Sequence, residues 1–259
     1  MLRHLFSPEG SAALAATMAM RPLLAFDFDG TLAPIVARAE DARVPMPVAR
    51  RLDRLARVLP LAIVSGRSVD DVRARLSFAP HFVIGNHGAE NPFAVHTASP
   101  AVLDGMRERL GEHAAAIEAA GVSVEDKRHS IALHYRLSRD RDSARTLVDR
   151  LVQDLGPGIN AYGGKMVVNV VAADAPDKAH AVASLVRHCG ATSAVFLGDD
   201  LNDEPVFARA EPSWLTVKVG RDNPNSLARF CLDSLIEVAV MLDRMLALLD
   251  DEAARAARS

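Results

Sequence analysis

The stretch LLAFDFDGT at residues 23–31 decides the fold of this chain. Its apolar part ends in two carboxylates and then Gly30, which is typical of a buried strand that runs into a loop. Asp27 and Asp29 are two residues apart, and side chains at that spacing share one face of an extended segment. The stretch therefore predicts a buried strand with two carboxylates at its end.

Similar segments recur on both sides of this stretch. They are LAIVSGR (61–67), HFVIGNHG (81–88), AVFLGDD (194–200) and LTVKVG (215–220). Helical spacing occurs between and after them, at residues 47–58, 69–76, 176–189 and 233–250. Strands that are apolar throughout and alternate with helices are typical of a parallel sheet covered on both faces. We therefore predict an α/β fold with a Rossmann-like parallel sheet between layers of helices.

The middle of the chain has a different pattern. A helix is predicted at 101–120 and another at 140–155, and the predicted strands come in pairs, at 122–127 and 129–136 and at 158–161 and 165–172. Paired strands separated by single helices indicate a small α+β module with an antiparallel sheet. We therefore predict a core formed by residues 1–96 and 174–259, a cap inserted at 97–173, and hinges near 95–100 and 172–176.

Composition excludes several classes of protein. The 259 residues include 30 Lys and Arg and 33 Asp and Glu, and 49% are hydrophobic, which excludes a disordered, collagen-like or coiled-coil chain. A net charge of -3 argues against a nucleic-acid partner. No segment has the roughly 18 uncharged apolar residues of a membrane span, and Ala12–Met20 is better explained as a helix than as a signal peptide. Cys189 and Cys231 predict reduced thiols, so the expected location is cytoplasmic.

Acidic residues follow the predicted strands. They are Asp27, Asp29, Asp199, Asp200 and Asp203, and Ser65 ends another strand. Because ligands bind beyond the carboxyl ends of parallel strands, these groups are expected to converge, and their charges would repel one another without a cation. Oxygen ligands of this kind suit Mg²⁺. Lys178, at the start of a predicted helix, is suited to neutralise a phosphoryl group, whose oxygens Ser65 and the Gly30–Thr31 backbone could hold.

Four motifs in this order resemble those of the haloacid dehalogenase-like (HAD-like) phosphatases. They are DFDGT (27–31), SGR (65–67), Lys178 and GDDLNDE (198–204). The resemblance implies that Asp27 attacks phosphorus and forms an aspartyl-phosphate, while Asp29 acts as general acid and then general base. It also implies that Ser65 and Lys178 stabilise the transferring group. The implied Mg²⁺ site comprises Asp27, the backbone carbonyl of Asp29, Asp199 and Asp203.

A narrower resemblance concerns the predicted cap. The stretches EDKRHSIALHYR (125–136), GNHGAE (85–90), GKMVV (164–168) and VKVG (217–220) are similar to segments of trehalose-6-phosphate phosphatases. The resemblance implies that Glu125 and Lys127 contact a sugar. It also implies a small-molecule sugar phosphate, most specifically trehalose 6-phosphate, as substrate, with Arg67, His87 and Asn169 as further binding residues. Asn169 stands where the family pattern has Glu, Val171 where it has Arg or Lys, and Ala179 where it has Gly.

Other interpretations of these residues stay open. Arg67 could pair with a carboxylate at the surface, Ser65 could cap the helix that begins near Val69, and Glu125 and Lys127 could form a plain ion pair. Asp203 could be an N-terminal helix acid, and His87 could be structural. At the level of function, the alternatives are a phosphatase for another glycosyl phosphate, a phosphotransferase or mutase, and a non-catalytic domain that binds sugar phosphates. The sequence predicts no oligomeric state.

Overall fold

The computed structural model describes residues 2–93, 99–164 and 166–256. The strands are β1 (Arg3–His4), β2 (Leu23–Phe26), β3 (Leu61–Val64), β4 (Phe82–Ile84), β5 (Ser123–Asp126), β6 (Ser130–His134), β7 (Ile159–Gly164), β8 (Val167–Ala172), β9 (Ala194–Gly198), β10 (Leu215–Val219) and β11 (Phe230–Leu232). The α-helices are α1 (Pro8–Ala19), α2 (Met46–Ala56), α3 (Val69–Arg73), α4 (Asp104–Glu112), α5 (Ala114–Ala119), α6 (Arg141–Leu151), α7 (Lys178–His188), α8 (Glu204–Arg209) and α9 (Leu235–Ala256).

The chain divides into two compact units. One comprises Met1–Ala94 and Asp177–Ser259, and the other comprises Val95–Pro176. The predicted boundary between residues 96 and 97, and most of the hinge predicted at 95–100, lie outside the described residues. The domain limits taken from the sequence therefore stay predictions.

The first unit is built on a parallel sheet of seven described strands, in the order β1-β11-β10-β9-β2-β3-β4. Every residue of β2, β3, β9 and β10 is buried, because helices cover both faces and leave no solvent-facing side for polar residues. The predicted α/β fold is confirmed. The short strands β1, at one edge, and β11, next to it, were not predicted, since two or three residues are too few to give a periodic signal.

The order of the strands locates a crevice. After β2 the chain continues to β3 and β4 on one side of the sheet, and after β9 it continues to β10 and β11 on the other side. The loops that leave β2 and β9 therefore diverge. In open α/β sheets, this point beyond the carboxyl ends of the strands is where ligands bind.

Two apolar clusters hold the sheet between its helices. On one face, Leu52 of α2 and Leu242 and Met245 of α9 are fully buried in the same cluster as Phe26. On the other face, Val182 of α7 packs in a cluster with residues of α8, β9 and β3. Burying an aliphatic side chain of this size contributes roughly 1.5–3 kcal/mol. The large number of such residues explains how the sheet can tolerate a polar cluster at its carboxyl edge.

The second unit has an antiparallel sheet in the order β5-β6-β8-β7. One face of this sheet, with Ile131, Leu133 and Val170, shares an apolar cluster with residues of α4, α5 and α6. The helix predicted at 101–120 is wrong as one element. A 3-10 turn at Pro100–Leu103 precedes α4, and the helix is interrupted at His113, whose φ of -104° and ψ of 12° are not α-helical. The predicted strand start at residue 165 lies outside the described residues.

Two further observations concern expectations from composition. No helix within residues 2–93, 99–164 and 166–256 combines the length and the apolar character that crossing a bilayer requires. Cys189 and Cys231 are free thiols, the first half-buried and the second buried, and burial raises the pKa of both.

Candidate active site

Three buried aspartates meet at the carboxyl edge of the parallel sheet. Asp27 follows β2, Asp199 follows β9, and Asp203 ends the short 3-10 turn Leu201–Asp203. Each has a carboxylate oxygen within 4.8 Å of one on the others. The convergence predicted for these acids is therefore present in the structure, at the crevice where the strand order changes direction.

Lys178 is the first residue of α7 and is only 1% exposed. Its Nζ donates to Oδ1 of Asp27 at 2.8 Å and to Oδ1 of Asp203 at 2.7 Å. Burial by itself would lower the pKa of Lys178, but the two carboxylates overcome this effect and raise it. Lys178 is thus a buried ammonium group bonded to two of the three aspartates of the cluster.

The charges of the cluster do not balance. Burial raises the pKa of Asp27 well above its ordinary value, and the nearby charges of Asp203 and Asp199 act in the same direction, against the opposing effect of Lys178. The three carboxylates share this buried edge with two ammonium groups, Lys178, which contacts Asp27 and Asp203, and Lys218, which contacts the backbone of Asp199. The excess negative charge and the set of hard oxygen donors fit a small divalent cation such as Mg²⁺.

Asp203 uses both of its oxygens within the site. Oδ1 accepts from Lys178, and Oδ2 accepts from the backbone N–H groups of Asp199 at 2.9 Å and Asp200 at 3.0 Å. A Cβ at Gly198 would lie 2.3 Å from Cγ of Asp203, so the approach of this carboxylate requires glycine there. The described contacts indicate that Asp203 orients Lys178 and the Asp199 loop. Its direct metal contact stays a prediction.

Asp199 also has a close neighbour on the β2 loop. A Cβ at Gly30, where φ is 78°, would lie 2.1 Å from Oδ2 of Asp199. Thr31 Oγ1 lies 3.5 Å from Oδ1 of the same carboxylate. Glycine in DFDGT is therefore required both by its left-handed backbone and by the space that Asp199 occupies.

Asp29 is held by Arg67. The Nε and Nη2 atoms of Arg67 donate to the two carboxylate oxygens of Asp29 at 2.7 and 2.8 Å. Nη1 donates to Asp71 at 2.7 Å, and Nη2 also donates to the Ala39 carbonyl. The structure therefore places Arg67 on the carboxylate predicted to be the general acid and base, in a bidentate geometry that fixes its orientation. The direct substrate contact predicted for Arg67 stays a prediction.

Ser65 and His87 lie at the same edge, in the loops that follow β3 and β4. Ser65 is buried, and its Oγ accepts from the N–H of Arg67 at 3.1 Å. Its alternative role as a helix cap is wrong, because Ser68 caps α3. The buried ring of His87 lies directly over Gly66, where an added Cβ would be 2.2 Å from its Cε1. The structure thus brings both predicted residues to the SGR turn.

In the second unit, Glu125 and Asn169 lie on one face of the antiparallel sheet, and Lys127 follows β5. The register aligns Glu125 with Ala132, Ala132 with Asn169 and Asn169 with Tyr162, so these residues form a row across the sheet. Oε2 of Glu125 lies 2.9 Å from Nε2 of His134 and 3.5 Å from Nζ of Lys127. The alternative of an ion pair between Glu125 and Lys127 is therefore present, and it does not exclude a contact with substrate.

The charge on Glu125 is strongly stabilised. Burial alone would raise the pKa of Glu125, but the hydrogen bond to His134 and the positive charge of Lys127 lower it to about 2. Asn169, in the same row, is buried and uncharged. At neutral pH this row therefore contains a carboxylate, which accepts hydrogen bonds from hydroxyls, and an amide, which can both accept and donate them.

Two residues that organise the site had no specific role in the sequence analysis, although they lie in the GNHGAE and VKVG stretches on which the family resemblance rests. Glu90 accepts from the Val69 N–H at 2.6 Å and from Nδ2 of Asn86 at 2.7 Å, which fastens the loop that carries His87. Lys218 is fully buried and donates to the Asp199 carbonyl at 2.7 Å. The sequence signal for Lys218 was a lysine inside the largely apolar strand LTVKVG, because a buried ammonium group needs partners.

Comparisons with known proteins agree with this geometry. The profile of the trehalose-phosphatase family matches residues 25–223 of the chain. A Mycobacterium marinum protein named trehalose-phosphate phosphatase is 32% identical over 255 residues, which cover 87% of this chain and 61% of that protein. A Mycobacterium tuberculosis protein named an uncharacterized glycosyl hydrolase is 36% identical over 202 residues, which cover 72% of this chain and 15% of that protein.

A solved structure shows the same fold. The C-terminal domain of C. albicans trehalose-6-phosphate phosphatase has a TM-score of 0.77 and 20% identity, with 95% of this chain and 98% of that chain covered. The chain spans less than two thirds of the length of the two bacterial relatives. The family profile covers far more than half of the sequence, and the matched residues include Asp27, Asp199 and Asp203. The chain therefore belongs to the trehalose-phosphatase family.

Proposed function

We propose that this chain is a Mg²⁺-dependent phosphatase that hydrolyses a sugar phosphate, with trehalose 6-phosphate as its substrate. The observation that carries the proposal is the buried cluster of Asp27, Asp199 and Asp203 with Lys178 bonded to two of its members. Membership of the trehalose-phosphatase family supports the same reaction class. The cytoplasmic location and the domain limits expected from the sequence are part of this proposal.

The proposed reaction has two chemical steps. A carboxylate oxygen of Asp27 attacks phosphorus, the bond from phosphorus to the sugar oxygen breaks, and Asp29 gives its proton to that oxygen. Asp29 then takes a proton from water as the water oxygen attacks the aspartyl-phosphate, which releases phosphate and restores Asp27. The bidentate pair with Arg67 would stabilise the Asp29 carboxylate between these steps.

The other residues act on charge and orientation. Lys178 would neutralise charge on the transferring phosphoryl group and fix the orientation of Asp27. Asp27, Asp199 and the backbone carbonyl of Asp29 would hold Mg²⁺, with Asp203 orienting the Asp199 loop. When bound, Mg²⁺ would supply a Lewis acid that polarises a phosphoryl oxygen and screens the carboxylates.

The choice of sugar rests on other residues. The names of the relatives and the row that contains Glu125 and Asn169 favour trehalose 6-phosphate. Asn169 in place of the family Glu favours a second candidate, another glycosyl phosphate, because the amide carries no charge toward the sugar hydroxyls. The two candidates share one mechanism and differ only in the sugar that is released.

Release of inorganic phosphate from the purified protein tests the proposal. The substrates are trehalose 6-phosphate, sucrose 6-phosphate, glucose 6-phosphate and mannosyl-3-phosphoglycerate, each with Mg²⁺ and with EDTA. We expect rapid release of phosphate from trehalose 6-phosphate with Mg²⁺ and none with EDTA, because the excess carboxylate charge requires a cation. Preference for another ester would reassign the sugar, and a folded protein that binds Mg²⁺ but hydrolyses none of the four would favour a binding domain.

Substitution of Glu125 separates recognition of the sugar from the chemistry. We expect Glu125→Ala to lower kcat/KM for trehalose 6-phosphate by about 10–100-fold, which corresponds to the loss of one charged hydrogen bond. Hydrolysis of a small ester such as p-nitrophenyl phosphate should change far less, because that ester has no sugar to contact. Glu118→Ala, on the exposed surface of α5, is the matched control. Equal losses on both substrates would contradict a role for Glu125 in sugar binding.

A further inference from the structure

Lys218 is a buried cation that the proposed reaction does not use. It lies in β10, between Val217 and Val219, and is only 1% exposed. Its Nζ donates to the backbone carbonyl of Asp199 at 2.7 Å and pairs with Oδ1 of Asp222 at 3.0 Å. Because removing an ammonium group from water is costly, a lysine is retained in such a place only where its partners make strong contacts.

The contact with Asp199 completes a clamp on one residue. The N–H of Asp199 donates to Oδ2 of Asp203 at 2.9 Å, and its carbonyl accepts from Lys218. The two bonds reach Asp199 from different elements, since Asp203 lies in the turn that follows β9 and Lys218 lies opposite Gly198 in the neighbouring strand. The backbone of Asp199 is therefore fixed on both sides.

The clamp fixes the backbone from which the Asp199 carboxylate extends. With its backbone fixed, the side chain is directed toward the β2 loop, where its oxygens approach Gly30 and Thr31. In this position the Asp199 carboxylate is part of the aspartate cluster. A change at Lys218 would free the carbonyl side of the clamp and allow this carboxylate to move.

We propose that Lys218 is a positioning residue for the metal site, acting through the backbone carbonyl of Asp199. The inference rests on the proposed function, because it assumes that Asp199 is a metal ligand. Removing a group that orients a metal ligand typically weakens metal binding by about 10–100-fold. The competing explanation is that Lys218 serves only as an ion-pair partner for Asp222, whose side chain is 54% exposed.

Direct binding of Mn²⁺ to the full chain, followed by electron paramagnetic resonance without substrate, tests the inference. We expect Lys218→Met to weaken Mn²⁺ binding by about 10–100-fold relative to the unsubstituted chain. Asp222→Asn keeps the bond to Asp199 and should change the affinity by less than about threefold. A shift of less than about threefold in Lys218→Met, or equal shifts in both variants, would overturn the proposal.

Val217→Ala controls for general loss of stability. Val217 is fully buried in the adjacent position of β10, so its truncation should lower the melting temperature without moving the Mn²⁺ affinity. A similar weakening of Mn²⁺ binding in Val217→Ala would show that β10 acts only through stability, and would overturn the proposal. Where Lys218→Met does not fold, Lys218→Gln is measured against the same thresholds.

The metal measurement separates this inference from the proposed function. A chain that binds Mn²⁺ and loses affinity in Lys218→Met, yet hydrolyses no sugar phosphate, would contradict the function and support the role of Lys218. A chain that releases phosphate but binds no Mn²⁺ would overturn the role of Lys218 and leave the hydrolytic activity standing.

Discussion

Asp27→Asn is expected to abolish release of phosphate while the chain remains folded. The amide cannot act as the attacking carboxylate, and loss of a covalent nucleophile typically reduces kcat by about 10⁴–10⁶-fold. Asn has nearly the same volume and can still accept the hydrogen bond from Lys178. The measurements are single-turnover phosphate release and circular dichroism, with Asp142→Asn on the exposed surface of α6 as a matched control. Activity close to that of the unsubstituted chain would contradict the covalent mechanism.

The same substitution should change how stability depends on pH in EDTA. Burial raises the folded-state pKa of Asp27 well above its ordinary value of 3.8, so this carboxyl stabilises the fold below that value. The contribution is lost as the pH rises toward the folded-state pKa, because the unfolded chain then releases the proton first. Asn does not titrate. As the pH rises above about 4, the melting temperature of the unsubstituted chain should therefore fall relative to that of Asp27→Asn.

An opposite trend would contradict the effect of burial on Asp27. If the melting temperature of the unsubstituted chain rose relative to that of Asp27→Asn over this range, the carboxylate would have to be stabilised by Lys178 more than it is opposed by burial. The comparison requires both proteins to be free of metal, because a bound cation favours the charged carboxylate.

The sequence predicts the aspartate cluster because the cluster follows from the sheet. Asp27 and Asp199 each follow an apolar run, and parallel strands carry such residues to one edge. No local sequence pattern specifies which strands are neighbours in the sheet. Every parallel sheet nevertheless has the carboxyl ends of its strands at the same edge. The common edge was therefore predictable without the strand order, whereas the close approach of Asp27 and Asp199 requires β2 and β9 to be neighbours, as they are in the structure.

The sequence does not predict contacts between distant side chains. Arg67 and Asp29 are 38 residues apart in the sequence. An arginine in an SGR turn could form a surface ion pair, contact substrate or bind Asp29, and the sequence does not distinguish these roles. The contact between Lys218 and the Asp199 carbonyl depends on the pairing of β9 with β10, which periodicity does not specify. The interruption of the predicted helix at His113 follows Gly111, whose low helix propensity is a local signal that the helical spacing of the apolar residues does not include.

Lys178→Met is expected to cause large losses of both stability and activity. Lys178 is buried with Asp27 and Asp203, and removing one partner of a buried charge pair typically costs about 3–5 kcal/mol. Loss of a cation that stabilises charge in the transition state should also lower kcat by about 10²–10³-fold. Urea unfolding in EDTA measures the first effect, and phosphate release at saturating Mg²⁺ measures the second.

A second substitution separates the two effects. Lys178→Met combined with Asp203→Asn removes one of the carboxylates that the single variant leaves uncompensated, so it should recover a large part of the lost free energy of unfolding. It should not recover activity, because the ammonium group is still missing. Unchanged stability in Lys178→Met would contradict the charge imbalance inferred for the cluster. Recovered activity in the double variant would mean that Lys178 serves only to neutralise Asp203, and that the transferring phosphoryl group is stabilised by other residues.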